Sequence, residues 1–167
     1  LRGNVGTRMD KIAAGEADAT FLALAGLKRL GLADRARNIL DPSEMLPAVA
    51  QGAIGIECRE ADVRVRDLIA PLDHAATRTC VEAERALLAG LDGSCRTPIA
   101  ALATLAGNTI DLAAMVALPD GSVRFDTRLS GAANAPAALG RQAAARLRAS
   151  AGAAFFERLA RLSVAAR

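Results

Sequence analysis

Two alternating runs joined by a turn decide the fold: Thr-Ile-Asp-Leu-Ala-Ala-Met-Val-Ala-Leu (109–118), Pro-Asp-Gly-Ser (119–122) and Val-Arg-Phe-Asp-Thr-Arg-Leu-Ser (123–130). In each run the apolar residues recur at every second position along one face, which is the period of a β-strand. Pro, Asp, Gly and Ser favour a tight reversal of the chain between the runs. The pattern predicts an antiparallel hairpin with one face in water.

The segments around the hairpin complete a small domain. Residues 99–105 predict a third strand. Residues 75–91 carry apolar residues at spacings of three and four, which is typical of a helix with one buried face. Residues 134–148 predict a second helix that covers the sheet. We therefore expect residues 73–167 to form an α+β domain with a three-stranded antiparallel sheet.

The first 72 residues have a different pattern, in which short helices alternate with short apolar runs. This is the pattern of an α/β unit whose sheet partners lie outside the chain. Between its parts, Pro47 and Gly52 bracket a segment without periodicity, which predicts a hinge at residues 47–52. The predicted helices are 7–15, 25–30 and 62–72, and the predicted strands are 18–24 and 53–58.

Composition excludes several classes of protein. The chain has 167 residues, of which 52% are hydrophobic and 23% charged, as in globular proteins. It contains four Phe and neither Trp nor Tyr, which argues against a base-stacking surface for single-stranded nucleic acid. The residues Leu1-Arg2-Gly3-Asn4 show no apolar core behind a basic start, so we expect no secretory signal, and no apolar stretch reaches the roughly 20 residues that a membrane helix needs. Because the first residue is not Met, we expect a fragment of a longer chain.

The charge distribution and the cysteines argue against a nucleic-acid partner, a metal site and a disulfide framework. Residues 121–167 contain eight Arg and two acidic residues, but solvated helix faces explain this better than a polyanion partner. Cys58, Cys80 and Cys95 are an odd number at wide spacing, which fits neither a zinc site nor a disulfide framework. With His74 as the one histidine, we expect no metal site. The simplest setting is a reducing, cytoplasmic one, with Cys80 in packing and His74 at a helix start.

Three segments are candidates for chemistry. In Arg-Gly-Asn-Val-Gly-Thr-Arg (2–8), glycines, a helix start capped at Thr7 and two arginines form a cradle suited to carboxylates or phosphates. Arg29 follows another turn and is a candidate for the same cleft. Cys95 lies in a Gly/Ser/Pro loop beside Arg96, which favours the thiolate. The third candidate is the pair Gln51-Gly52 in the hinge. A solvated turn, an incidental loop cysteine and a plain loop remain the respective alternatives.

Five motifs resemble porphobilinogen deaminase, also called hydroxymethylbilane synthase. They cover the chain in the order of the C-terminal half of that family. The motifs are Arg-Gly-Asn-Val-Gly-Thr-Arg (2–8), Ala-Gly-Leu-Lys-Arg-Leu-Gly-Leu (25–32), Leu-Pro-Ala-Val-Ala-Gln-Gly-Ala-Ile-Gly-Ile-Glu-Cys-Arg (46–59), Ala-Glu-Arg-Ala (83–86) and Gly-Ser-Cys-Arg-Thr-Pro-Ile (93–99).

The resemblance implies a domain order. Residues 1–46 would be the second half of an α/β domain two, which resembles periplasmic binding proteins, and residues 47–52 the hinge. Residues 53–72 would return to domain one, and residues 73–167 would form the α+β domain that carries the cofactor. The complete protein would be a cytoplasmic monomer that includes an upstream half missing here and has neither nucleic acid nor membrane as a partner.

The resemblance also implies a reaction: four porphobilinogen molecules condense head to tail, with release of ammonia, on a dipyrromethane primer in tetrapyrrole (heme) biosynthesis. Cys95 matches the cysteine that holds this primer through a thioether. Arg2, Arg8 and Arg29 match arginines that bind the acetate and propionate groups of the primer and the growing chain, and the resemblance adds Gly3 and Asn4 to the cofactor-binding residues. The catalytic aspartate of the family lies upstream of this chain, so no catalytic residue is assigned here.

The sequence departs from the family pattern in two places. Ala50 stands where the family usually has Gly, which predicts a slightly stiffer hinge, and Ser94 replaces a second Gly before Cys95. We expect the chain by itself to be inactive or nearly so. The alternative hypothesis is a carboxylate-binding or assembly module with a free loop cysteine, and a basic nucleic-acid binder comes third.

Overall fold

The computed structural model describes residues 1–94 and 97–165, and the chain divides into two compact units. The first unit is Leu1–Asp41, and the second begins at Pro42. The domain boundaries predicted at residues 46, 52 and 72 remain predictions.

The first unit is helical. Helix α1 spans Val5–Ala13, α2 spans Leu24–Arg29, and a 3-10 turn follows at Ala33–Arg35. The strand predicted at residues 18–24 is wrong, since this segment runs without strand pairing and leaves Phe21 70% exposed. A strand forms when its backbone pairs with a neighbour, and no described segment supplies one here.

At the start of the second unit, another predicted strand is also wrong. Residues 53–58 are also predicted to be a strand, and they too run unpaired, with Ile54 79% exposed. Helix α3 spans Val63–Ile69 and continues as a 3-10 turn at Ala70–Leu72, which agrees with the predicted helix. The apolar pattern therefore identified segments that are extended, but it could not show whether these segments pair with a neighbouring strand.

The antiparallel sheet is confirmed. Strands β1 (Ile99–Ala106), β2 (Thr109–Ala117) and β3 (Arg124–Ala132) are neighbours in chain order, and both pairings are antiparallel. Leu112 at the centre of β2 pairs with Ala103 on one side and Leu129 on the other. The residues that share this face are buried, as the alternation predicts: Ala101, Ala103, Ile110, Leu112, Ala114, Val116 and Leu129.

Two helices cover the buried face. Helix α4 spans Ala75–Gly90, close to its prediction, and α5 spans Pro136–Ala165 with a break at Gly152, where φ is 74°. The sequence predicted α5 only as far as residue 148 and missed the segment beyond the break. Leu87 of α4 and Leu147 of α5 are fully buried in the shared core. Within the described residues, none of the helices combines the length and the hydropathy that crossing a membrane requires.

Small residues let α4 and α5 approach closely. A Cβ placed on Gly140 would lie 2.1 Å from the carbonyl oxygen of Ala83, and one placed on Gly90 would lie 2.6 Å from Cβ of Ala144. Backbone occupies the space that any larger side chain at residue 140 would need. These contacts fix the position of α5 along α4.

We predict that Gly140→Ala destabilises the second unit. Because the added methyl group meets backbone, the helices must separate, at a cost of about 1–3 kcal/mol as in other overpacked cores. Urea unfolding followed by circular dichroism measures this change. Gly55→Ala is the control, since a Cβ there meets no atom within 4 Å. Equal unfolding midpoints for the two variants would contradict the close approach of α4 and α5.

Candidate functional site

The loop before α1 is organised by its asparagine. The Asn4 side chain accepts hydrogen bonds from the Thr7 backbone N–H (2.9 Å) and from the Thr7 hydroxyl (3.0 Å). Asn4 is therefore the N-cap of α1, and the prediction of Thr7 as the cap is wrong by one turn. The first turn of α1 contains no acidic residue, so its positive end is not neutralised locally.

Gly3 and Arg8 close this loop. Gly3 has φ of 120°, and a Cβ on it would lie 2.8 Å from Cγ2 of Thr7, so a glycine is needed on both counts. The Nε–H of Arg8 donates to the Gly3 carbonyl at 2.9 Å. That bond holds the guanidinium beside the helix start, with its two terminal nitrogens left as a fork for an anion.

The other two predicted arginines, Arg2 and Arg29, belong to the same unit. Arg2 is exposed and is part of the loop itself. Arg29 is exposed in the last turn of α2, one turn after Gly26, and a Cβ on Gly26 would lie 3.8 Å from Cγ2 of Val5. The structure thus places Arg2, Gly3 and Asn4 in the loop before α1, Arg8 in the first turns of α1, and Arg29 in α2.

The hinge segment (residues 47–52) is bound to the edge of the sheet. The N–H of Ala101 in β1 donates to the Pro47 carbonyl at 3.0 Å. Ala48 forms an isolated bridge with Ala100, and its N–H donates to the Gln51 side chain at 3.1 Å. Gln51 thus stabilises the turn by a local hydrogen bond.

The backbone conformation of Ala50 explains why a glycine would suit this position. Its φ is 56°, in the left-handed region, where a residue with a Cβ is less stable than glycine by about 1–2 kcal/mol. The departure from the family pattern at Ala50 therefore falls on the one hinge residue with positive φ. At Gly52, by contrast, φ is ordinary and a Cβ would meet no neighbour.

A buried carboxylate holds the hinge segment against the domain. Glu84 of α4 is 5% exposed. One of its oxygens accepts the N–H of Ala50 at 2.7 Å, and the other accepts the N–H of Ala103 at 2.8 Å. A single side chain thereby joins α4, β1 and the hinge. The sequence placed Glu84 in a family motif but gave no sign that it is buried, except that Ala83 and Leu87 on the same helix face the core.

An open pocket of about 290 Å³ lies beside the hinge segment. Cys80 lies in its lining, and burial, followed by the charge of Glu84, raises the pKa of the Cys80 thiol. Cys80 also packs against the core, as predicted, and the His74 side chain caps α4 by accepting the Thr77 N–H. Other residues of the lining are Ala48, Gln51, Thr77, Val81, Leu102 and Leu105.

The loop of Cys95 is described on both sides of it. Cys95 itself and Arg96 lie outside the described residues. Before them, a Cβ on Gly93 would lie 2.6 Å from both Cδ1 of Leu88 and Cδ1 of Ile99, so the chain passes tightly over the core. The N–H of Ser94 donates to the Thr97 hydroxyl, and the N–H of Thr97 donates to the Ser94 carbonyl, both at 3.0 Å.

Comparison with known proteins gives the same family over both units. Residues 1–67 match the sequence model "Porphobilinogen deaminase, dipyromethane cofactor binding domain", and residues 78–149 match "Porphobilinogen deaminase, C-terminal domain". The chain belongs to the porphobilinogen deaminase family. Relatives named porphobilinogen deaminase include those of Chromobacterium violaceum, 54% identical over 88% of this chain, and of Nitrobacter hamburgensis and Nitrobacter winogradskyi, 50% and 51% identical over 93% of it.

The chain spans about half the length of these porphobilinogen deaminases, 48% of the first and 49% of the other two. Residues 2–8, which we call the cradle loop, and the hinge segment fall within the first matched region, and Cys95 falls within the second. In the described residues, no group of three or more His, Cys, Asp or Glu is arranged to hold a metal ion.

We predict that Glu84→Gln loosens the hinge segment. The amide offers one acceptor oxygen in place of two and turns its NH2 group toward a backbone N–H. Leaving a buried N–H without an acceptor costs about 1–3 kcal/mol. Hydrogen exchange should accelerate at the amides of Ala50 and Ala103, with a lower urea midpoint.

Glu82→Gln provides the matched control, because Glu82 is exposed on the same helix. If the two variants exchange equally fast at Ala50 and Ala103, Glu84 does not hold the hinge segment.

Proposed function

We propose that this chain is the C-terminal part of a hydroxymethylbilane synthase, a transferase that condenses porphobilinogen head to tail with release of ammonia. The substrate and the growing product carry many carboxylates. An enzyme of this kind needs cationic and N–H donors in fixed positions to orient them.

The cradle loop is the observation that carries this proposal. Arg8 is held beside a capped helix start by its bond to Gly3, at 2.9 Å, and the first turn of α1 lacks acidic residues. An arginine held in this way loses less entropy on binding a carboxylate than a freely moving one. Arg2 and Arg29 add two exposed cations from the same unit.

The residues present fit a covalently held dipyrromethane with acidic side chains. Cys95 would form the thioether, and Arg2, Asn4, Arg8, Arg29 and the backbone at Gly3 would bind the carboxylates. When bound, the primer supplies the pyrrole end to which each new ring is joined. The part of this chain in the reaction is then to hold and orient anionic groups, while the proton-handling aspartate of the family is expected upstream.

The exposed apolar residues of the second unit support a further part of the proposal. Ile54, Ile56, Leu68 and Leu72 are between 53% and 79% exposed. Four large apolar side chains this exposed within residues 53–72 are what a surface covered by another part of the protein would show. We infer that residues 53–72 return to a domain built by the upstream part of a longer chain.

A fusion tests the proposal. This chain would be joined behind the upstream part of the Chromobacterium violaceum porphobilinogen deaminase. Intact mass and peptide mapping should then show a dipyrromethane adduct on Cys95, with consumption of porphobilinogen. The Cys95→Ser fusion is the control and should lack both. A folded fusion with a free thiol at Cys95 and no turnover would refute the enzyme and favour a carboxylate-binding module.

We predict that Arg8→Leu in this fusion lowers kcat/KM about tenfold to a hundredfold, which is the range for losing a charge-assisted hydrogen bond. Primer loading should fall with it. Arg37→Leu serves as the control, since Arg37 is an exposed arginine of the same unit outside the loop. Equal kinetics for the two variants would show that Arg8 does not bind the carboxylates.

A further inference from the structure

One face of α5 lies along α4 and ends on an arginine. Gly140, Ala144 and Arg148 are each four residues apart, so they form a single row on the helix. Gly140 meets the backbone at Ala83, and Ala144 meets Gly90 at the end of α4. Because these close contacts fix the position of α5 along α4, Arg148, the next residue of the row, lies at the C-terminal end of α4.

Arg148 has three partners there. Its Nε–H donates to the carbonyl of Gly90 at 2.8 Å, and its NH2 group forms an ion pair with the carboxylate of Asp92. The centre of its guanidinium lies 5.0 Å from the centre of the Phe156 ring. Gly90 is the last residue of α4, where carbonyl groups lack helical partners and a cation is favoured.

The aromatic contact depends on the break in α5. Gly152 has φ of 74°, a conformation that favours glycine, and it changes the direction of the chain between Arg148 and Phe156. Phe156 packs edge-to-face on Phe155, which is buried against Phe125 of the sheet. The ring is thus anchored in the core and restricts where the guanidinium can lie.

The partners of Arg148 begin the turn that leads to Cys95. Asp92 has φ of 52°, an uncommon conformation for a residue with a side chain. The Gly93 N–H donates to the Leu88 carbonyl at 2.9 Å, so the chain reverses immediately after α4. In the sequence, Cys95 follows Ser94. The ion pair therefore acts on the left-handed residue that sets the direction of this turn.

We propose that Arg148 is a positioning residue for the turn of residues 90–94, and through it for the thiol that receives the primer. The second step rests on the proposed function, whereas the first is a property of the described turn. Arg148 is proposed to touch neither primer nor substrate. It acts by holding the Gly90 carbonyl and the Asp92 carboxylate in one arrangement.

The first experiment measures hydrogen exchange in this chain. Arg148→Leu should accelerate exchange at the amides of Leu91 and Gly93 by about threefold or more, as expected when a partly exposed ion pair and its hydrogen bond are lost. Exchange at Leu87, in the middle of the core, should stay the same. Arg148→Lys keeps the charge and should recover part of the protection.

Arg146→Leu is the matched control, since Arg146 is an exposed arginine two residues earlier on α5. Exchange at Leu91 and Gly93 that is equal in Arg148→Leu and Arg146→Leu would overturn the proposal. So would acceleration of equal size at Leu87, since it would mark general destabilisation. If Arg148→Leu does not fold, Phe156→Leu tests the same arrangement and should accelerate the same two amides.

The second experiment uses the fusion enzyme. Arg148→Leu should lower the fraction of Cys95 that carries the adduct, and the turnover of the loaded fraction should be nearly normal. Normal loading would refute the link from the turn to the thiol. If the unsubstituted fusion carries no adduct, the proposed function fails, and the exchange measurements alone then decide whether Arg148 positions the turn.

Discussion

The arrangement of the second unit depends on one buried carboxylate. Glu84 lies on the face of α4 that carries Ala83 and Leu87, so its charge is within the core and must be satisfied there. It is satisfied by two backbone N–H groups, one from β1 and one from the hinge segment. Neither element can shift without leaving that charge in an apolar setting. The segment of residues 47–52 is therefore joined to the same helix that leads to the loop of Cys95.

Sequence pattern was sufficient where an element finds its partners nearby. The alternation of Ile110, Leu112, Ala114 and Val116 gave the buried face of β2, and the spacing in α4 gave its core side, because both patterns follow from packing within one domain. The prediction of strands failed at residues 18–24 and 53–58. A strand needs a neighbouring strand for its backbone hydrogen bonds, and the apolar pattern within a segment does not show whether one is present. The Asn4 cap was missed by one turn, since Asn and Thr are both good N-caps.

The candidate site was predictable only in part. Family motifs pointed to Arg8, Gly3 and Cys95, and the structure shows why Gly3 must be a glycine. The roles of Glu84 and Arg148 arise from contacts across 19 to 58 positions of sequence, between elements that only the fold brings together. Charge and residue type give no sign of such contacts. Arg148 is one of eight arginines after residue 120, and the composition does not distinguish it from the other seven.

The aromatic cluster has a practical consequence for spectroscopy. Phe125, Phe155 and Phe156 form one corner where the segment beyond Gly152 meets β3. The fourth phenylalanine, Phe21, is largely in solvent, and the chain contains neither Trp nor Tyr. Its near-ultraviolet circular dichroism therefore arises mainly from that corner. The sharp phenylalanine bands become a native label for the docking of the C-terminal segment, with no engineered probe.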